Sequence, residues 1–126
     1  MSDIDVNERR EDFIARMTAE GFAVVTPKSN QLQIDIDSEQ DYERFDEALA
    51  CWNRNHENQL LMKERLSKSG WPRRHITIDM PFDLDHWQRI ALQAVFGSDH
   101  MRELLSAIRL MRGDTIPTLF VEPASL

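Results

Sequence analysis

The side chains of this sequence whose types and spacing could do chemistry lie in two well-separated segments. These are Gln33-Ile34-Asp35-Ile36-Asp37-Ser38 and Ser69-Gly70-Trp71-Pro72-Arg73-Arg74-His75-Ile76-Thr77-Ile78. Both read as strands, and in a strand alternate side chains share a face, so Asp35 and Asp37 project one way while Ile34 and Ile36 project the other. Two carboxylates that close repel unless a cation or a proton relieves them, and hard oxygen ligands suit Mg²⁺ or Mn²⁺. An acidic pair on the wet face of a strand is also ordinary solvated surface. The choice between these readings depends on the second segment.

Together the two segments resemble the catalytic core of the archaeo-eukaryotic primase superfamily. The family's first motif, a hydrophobic-Asp-hydrophobic-Asp run closing a strand, is matched by Ile34-Asp35-Ile36-Asp37. Its second, a Ser-Gly turn leading to a His that opens a strand, is matched by Ser69-Gly70 and His75, although Trp71, Pro72, Arg73 and Arg74 stand where the family usually has a second glycine. Its third, a hydrophobic-Asp on a late strand, falls in Pro117-Thr118-Leu119-Phe120-Val121-Glu122, with Phe120 at the acid's position and Glu122 two residues on, facing the same way. The resemblance covers roughly residues 31 to 122. It implies catalysis by Asp35, Asp37 and His75 and a divalent metal on Asp35 and Asp37, for which Glu122 is the candidate third ligand. It also implies phosphate contacts from Ser69 and His75. One or two such ions would bridge phosphate oxygens in phosphoryl transfer.

The elements that must position these groups follow from periodicity. Residues 1 to 6 read as a flexible acidic lead to a single domain over 7 to 126, a length that supports one core at 41% apolar content. A helix is expected from Asn7 to about Glu20, with Phe13, Ile14 and Met17 on its apolar stripe and Gly21 ending it. Phe22 to Thr26 and Gln31 to Asp37 are expected as a hairpin. Ser38 caps a helix whose Tyr42, Phe45, Leu49 and Trp52 recur at core spacing, and Cys51 is expected to be buried in it.

Leu60 to Ser67 and Arg74 to Met80 read as two paired strands. They set Lys63 and Arg65 on one face, and His75, Thr77 and Asp79 opposite the inward Ile76 and Ile78. Leu84 to Phe96 reads as a helix. A further helix from Ser98 to Gly113 is expected to bury Met101, Leu104, Leu105, Ile108 and Met111, and residues 117 to 122 form the last strand. The fold class is therefore α+β, a split βαββαβ sheet of ferredoxin-like or RNA-recognition-motif-like type, with an N-terminal helix and strand before it. Helices should cover one face of the sheet. The other, open face should gather Asp35, Asp37, Lys63, Arg65, His75, Phe120 and Glu122.

Composition narrows the function. A net charge of −7, from 22 acidic and 15 basic residues, disfavours a broad nucleic-acid footprint. The basic residues that do cluster, Lys63, Arg65, Lys68, Arg73 and Arg74, surround the His75 turn, and Lys63, Arg65, Arg73 and Arg74 are candidate phosphate contacts there. The single cysteine precludes an intramolecular disulfide and a cysteine-rich zinc site. There is no membrane-length apolar run and no basic-then-apolar leader, so a cytoplasmic protein is expected. Zinc-protease, phosphate-loop and nucleophile-elbow motifs are absent. The lone Tyr42 lies on an apolar helical stripe, which disfavours a rolling-circle initiator, and acids stand where an RNA-recognition module would place stacking rings.

Two readings follow. In one the chain is a primase-like nucleotidyltransferase, or a binder of nucleoside triphosphate and single-stranded nucleic acid, using Mg²⁺ or Mn²⁺. In the other it is a catalytically inactive acidic interaction module on the same fold, with a basic protein partner.

Overall fold

The computed structural model describes residues 8–57, 59–66 and 73–123. Within them the order is α1 (Arg10–Ala19), β1 (Phe22–Val25), β2 (Gln31–Ile36), α2 (Glu39–Asn55), β3 (Leu61–Leu66), β4 (Arg74–Asp79), α3 (His86–Val95), α4 (His100–Met111) and β5 (Phe120–Pro123). The fold is α+β, with four helices and two small antiparallel sheets. One sheet has the order β2-β4-β3; the other pairs β1 with β5. The expected acidic lead, Asn7, Lys68 and the Ser69 turn lie outside the described residues.

The three-stranded sheet is built on period-2 alternation. Leu32, Ile34 and Ile36 of β2 and Ile76 and Ile78 of β4 are fully buried on one face, in register as Leu32↔Ile78 and Ile34↔Ile76. α2 packs there through Phe45, flanked by Tyr42, Ala48, Leu49 and Trp52, and Met80, Leu84 and Phe96 complete the core. Each such aliphatic side chain contributes roughly 1.5–3 kcal/mol on burial. Ser38 caps α2 by accepting from the Asp41 amide at 3.1 Å, as the sequence predicts. Cys51, expected inside, is exposed, because the inward stripe of α2 is already filled by the aromatic and Leu positions around it. In the turn between α3 and α4, Gly97 has φ +88°, and a Cβ there would lie 2.8 Å from the Asp41 carbonyl oxygen. Only glycine lets that turn rest against the α2 backbone.

The expected β1–β2 hairpin does not form. β1 pairs instead with β5, Ala23 opposite Glu122 and Val25 opposite Phe120. The last strand is correspondingly outside the sheet that β2, β3 and β4 make. Both differences have one physical cause: the free edge of β2 is occupied by helix side chains. Arg89 Nε donates to the Gln31 carbonyl at 2.8 Å. The Gln33 amide donates to Gln93 Oε1 at 2.8 Å, while Arg102 Nη1 donates to the Gln33 carbonyl at 2.7 Å. The Asp35 amide donates to Ser98 Oγ at 3.0 Å and its carbonyl accepts from the Asp99 amide at 2.7 Å. An edge satisfied in this way needs no further strand.

α4 serves that edge and so turns its polar side inward. Glu103, Ser106 and Arg109 are buried, whereas Met101, Leu104 and Met111, expected in the core, are exposed; Leu105 and Ile108 are half-buried. Trp87 and Val95 of α3 are likewise exposed, while Arg89 and Gln93 of the same helix are buried.

Candidate functional site

The antiparallel register places Asp35 of β2, His75 of β4 and Arg65 of β3 in one row across the sheet. Alternation puts this row on the face opposite the aliphatic core, as the sequence predicts. That face is not left open. The β1–β5 ribbon lies against its β2 and β4 side: Gln33 Nε2 donates to the Val25 carbonyl at 2.9 Å, and the Phe120 ring stacks on His75 with centroids 4.0 Å apart and planes 3° from parallel. Arg102 stands over the same Phe120 ring at 4.9 Å and donates to the Leu119 carbonyl at 3.1 Å. Lys63 and Arg65, on the edge strand β3, remain exposed.

His75 is the hub. Its Nε2 lies 3.8 Å from Asp35 Oδ1 and its Nδ1 lies 3.6 Å from Glu122 Oε2. Both distances exceed a hydrogen bond, and the buried Nδ1 has no hydrogen-bond partner. Burial holds the imidazole's affinity for a proton below its ordinary value, Glu122 pulling the other way and Arg102 adding to the depression. Burial also pushes the Asp35 carboxyl up to about 6; Arg102 opposes this, while Asp99, Asp37 and Glu103 add to it. A neutral imidazole therefore stands between two carboxyl groups at neutral pH.

The remaining expected residues divide between the faces. Asp37, just past the end of β2, pairs with Arg73 at 3.0 Å, both about half exposed. Glu122 reaches Arg65 at 3.9 Å. Arg74, expected among the phosphate contacts, is on the other face of β4: it donates to Glu64 Oε1 at 3.0 Å and its guanidinium lies 4.2 Å above the Tyr42 ring. The reason is the strand period, which cannot put neighbours 74 and 75 on one face.

A three-carboxylate metal set does not fit this geometry. The His75 ring stands between Asp35 and Glu122, Asp37 faces Arg73, and among the described residues no group of three or more His, Cys, Asp or Glu side chains is placed to hold a metal ion. No described helix is long and apolar enough to cross a membrane.

The sequence reading missed the buried polar cluster behind the row. Glu103 accepts from Gln93 Nε2 at 2.8 Å, from Ser98 Oγ at 2.7 Å and from Arg102 Nη1 at 2.7 Å. Its signal was present as a second stripe at helical spacing, Arg89 with Gln93 and Arg102-Glu103 with Ser106 and Arg109, which polarity alone marks as solvent-facing. Comparison with protein-family models, with curated protein sequences and with solved structures finds no match.

Proposed function

We propose that this chain is a non-catalytic interaction module whose acidic surface engages a basic protein partner. The observation that carries the reading is the separation of the acids expected to bind metal: Asp35 and Glu122 lie against opposite nitrogens of the His75 ring, Glu122 also reaches Arg65, and Asp37 pairs with Arg73. Carboxyl groups held apart by an imidazole ring, or drawn off by arginines, do not present the shared oxygen cage that attracts a divalent ion. The acids that remain open lie elsewhere. Glu39, Glu43, Asp46 and Glu47 are exposed at helical spacing along α2, a surface suited to Lys or Arg side chains of a partner.

A second reading, a primase-like nucleotide site loaded with Mg²⁺ or Mn²⁺, is favoured by one observation: Asp35 and His75, from two separate motifs of that family, are direct cross-strand partners. Titration calorimetry of nucleoside triphosphate with Mn²⁺, with Mg²⁺ and with chelator separates the two. The expected result is no metal-dependent heat, in the native chain or in the Asp35→Asn/Asp37→Asn variant. Metal-dependent binding that disappears in the variant would overturn the interaction reading and support the nucleotide site.

A further inference from the structure

The outward face of α4 is apolar where a solvent-facing helix is ordinarily polar. Met101 is 50%, Leu104 52% and Met111 67% exposed, while Glu103, Ser106 and Arg109 of the same helix are 4%, 1% and 7% exposed. Ile108 lies on the outward side with them, half-buried. The inversion is forced from within, since α4 must supply polar groups to the edge of β2 and to Gln93 and Ser98. The side left for solvent is then the one carrying Met and Leu. Exposed apolar area of that kind, roughly 300 Å² on this helix, is as large as the largest patch of an ordinary monomer.

We infer that this face is the contact between two copies of the chain, packed with their α4 helices antiparallel about a two-fold axis. Three properties of the face point to a second copy. It reads the same in both directions: Met101, Leu104, Ile108 and Met111 are spaced three, four and three residues apart, so an antiparallel partner sets Met101 against Met111 and Leu104 against Ile108, and each contact occurs twice, as a two-fold interface demands. The half-buried Leu105 and Ala107 at its flanks exchange in the same way, large against small.

Charge points in the same direction. In a chain of net charge −7 two copies repel, and contact is least opposed where no acid stands. Between Met101 and Met111 the charged side chains, Arg102, Glu103 and Arg109, all turn into the molecule. A basic partner, by contrast, gains nothing from an uncharged face. The area is also adequate: two such patches with their half-buried neighbours and polar rim amount to on the order of 1,000 Å², the lower limit for a specific interface. The dimer does not depend on the partner proposed above, which is assigned to α2.

Sedimentation equilibrium of the full chain, with reductant present because Cys51 is an exposed free thiol, tests the inference from about 1 to about 300 μM, the range of a weak interface. The expected result is a concentration-dependent rise from the 14.8 kDa monomer toward twice that mass. Leu104→Glu should raise the dissociation constant roughly thirtyfold or more and leave the circular dichroism spectrum unchanged, because the side chain is half exposed in the monomer. Register is read separately in a Cys51→Ser background. Met101→Cys mixed with Met111→Cys should oxidise to the mixed disulfide faster than either variant links to itself. A monomer throughout, a dimer indifferent to Leu104→Glu, or self-linking as fast as cross-linking would each overturn the proposal.

Discussion

At the scale of single residues, the Asp35 carboxyl is the group whose environment departs furthest from water with a readable consequence. Its affinity for a proton rises from 3.8 to about 6 on burial. Between those values the folded chain holds a proton that the unfolded chain releases. Asp35 therefore contributes its stability fully below about pH 4 and loses it as pH rises through about 6, on the order of 2–3 kcal/mol in all. His75 works in the opposite sense. Its proton affinity is lowered by burial, so acidification below 6.5 loads the unfolded chain first and destabilises the fold. Asp35→Asn, always neutral, should raise stability at pH 7.5 by that order and by only about 1 kcal/mol at pH 4.5, as measured by urea unfolding at the two pH values. An equal effect at both would show that burial does not govern this carboxyl. That Asp35 and His75 share a face was legible in the sequence, because period-2 alternation fixes the side to which each strand residue projects; their direct cross-strand register was not. The same rule already excluded Arg74 from that face. Glu122 and Phe120 were legible as sharing a side of their strand, but not as arriving over His75 from a different sheet.

At the scale of elements, periodicity located the helices and strands to within a few residues of their ends, and the Ser38 cap was read directly. Pairing was not readable. Phe22–Val25 and Gln31–Ile36 are near in sequence and both β-rich, yet the edge that would join them is taken by Arg89, Gln93, Ser98 and Arg102, residues more than fifty positions away in the chain. A polar stripe carries no mark that distinguishes water from a strand edge as its partner, and so α4 reads inside out. Arg102 is the keystone of the edge, bonding the Gln33 carbonyl, the Leu119 carbonyl and Glu103. Arg102→Met should cost roughly 3–5 kcal/mol, because it leaves the Glu103 carboxylate buried without its cation. Adding Glu103→Leu removes that stranded charge, and the double variant should recover part of the loss. Denaturant midpoints of the native chain, of Arg102→Met, of Glu103→Leu and of the double variant decide the matter; strict additivity would mean that the two side chains do not act as a pair.

At the scale of the whole molecule, the β1–β5 ribbon joins segments from opposite ends of the chain and lays Phe120 on the sheet that β2, β3 and β4 form. Arg10 of α1, buried, extends the same closure by donating to the Pro117 carbonyl at 3.5 Å. The closure covers the β2 and β4 side of what would be an open face, and it is the reason His75 is largely shielded from solvent. Phe120→Ala tests that coupling in two observables at once. Removal of a ring that is only 3% exposed should cost about 3 kcal/mol or more, a large share of a stability that for small proteins is typically about 5–15 kcal/mol. It should also let water reach the imidazole, so that the His75 proton affinity, followed by NMR titration of its ring protons, climbs back toward 6.5 while Glu122 stays paired to Ala23 in the ribbon. Phe120→Leu keeps the cover and loses only the stacking, so it should move the titration far less. If both variants left the His75 titration where it stands, burial beneath the ribbon would not be what holds the imidazole neutral.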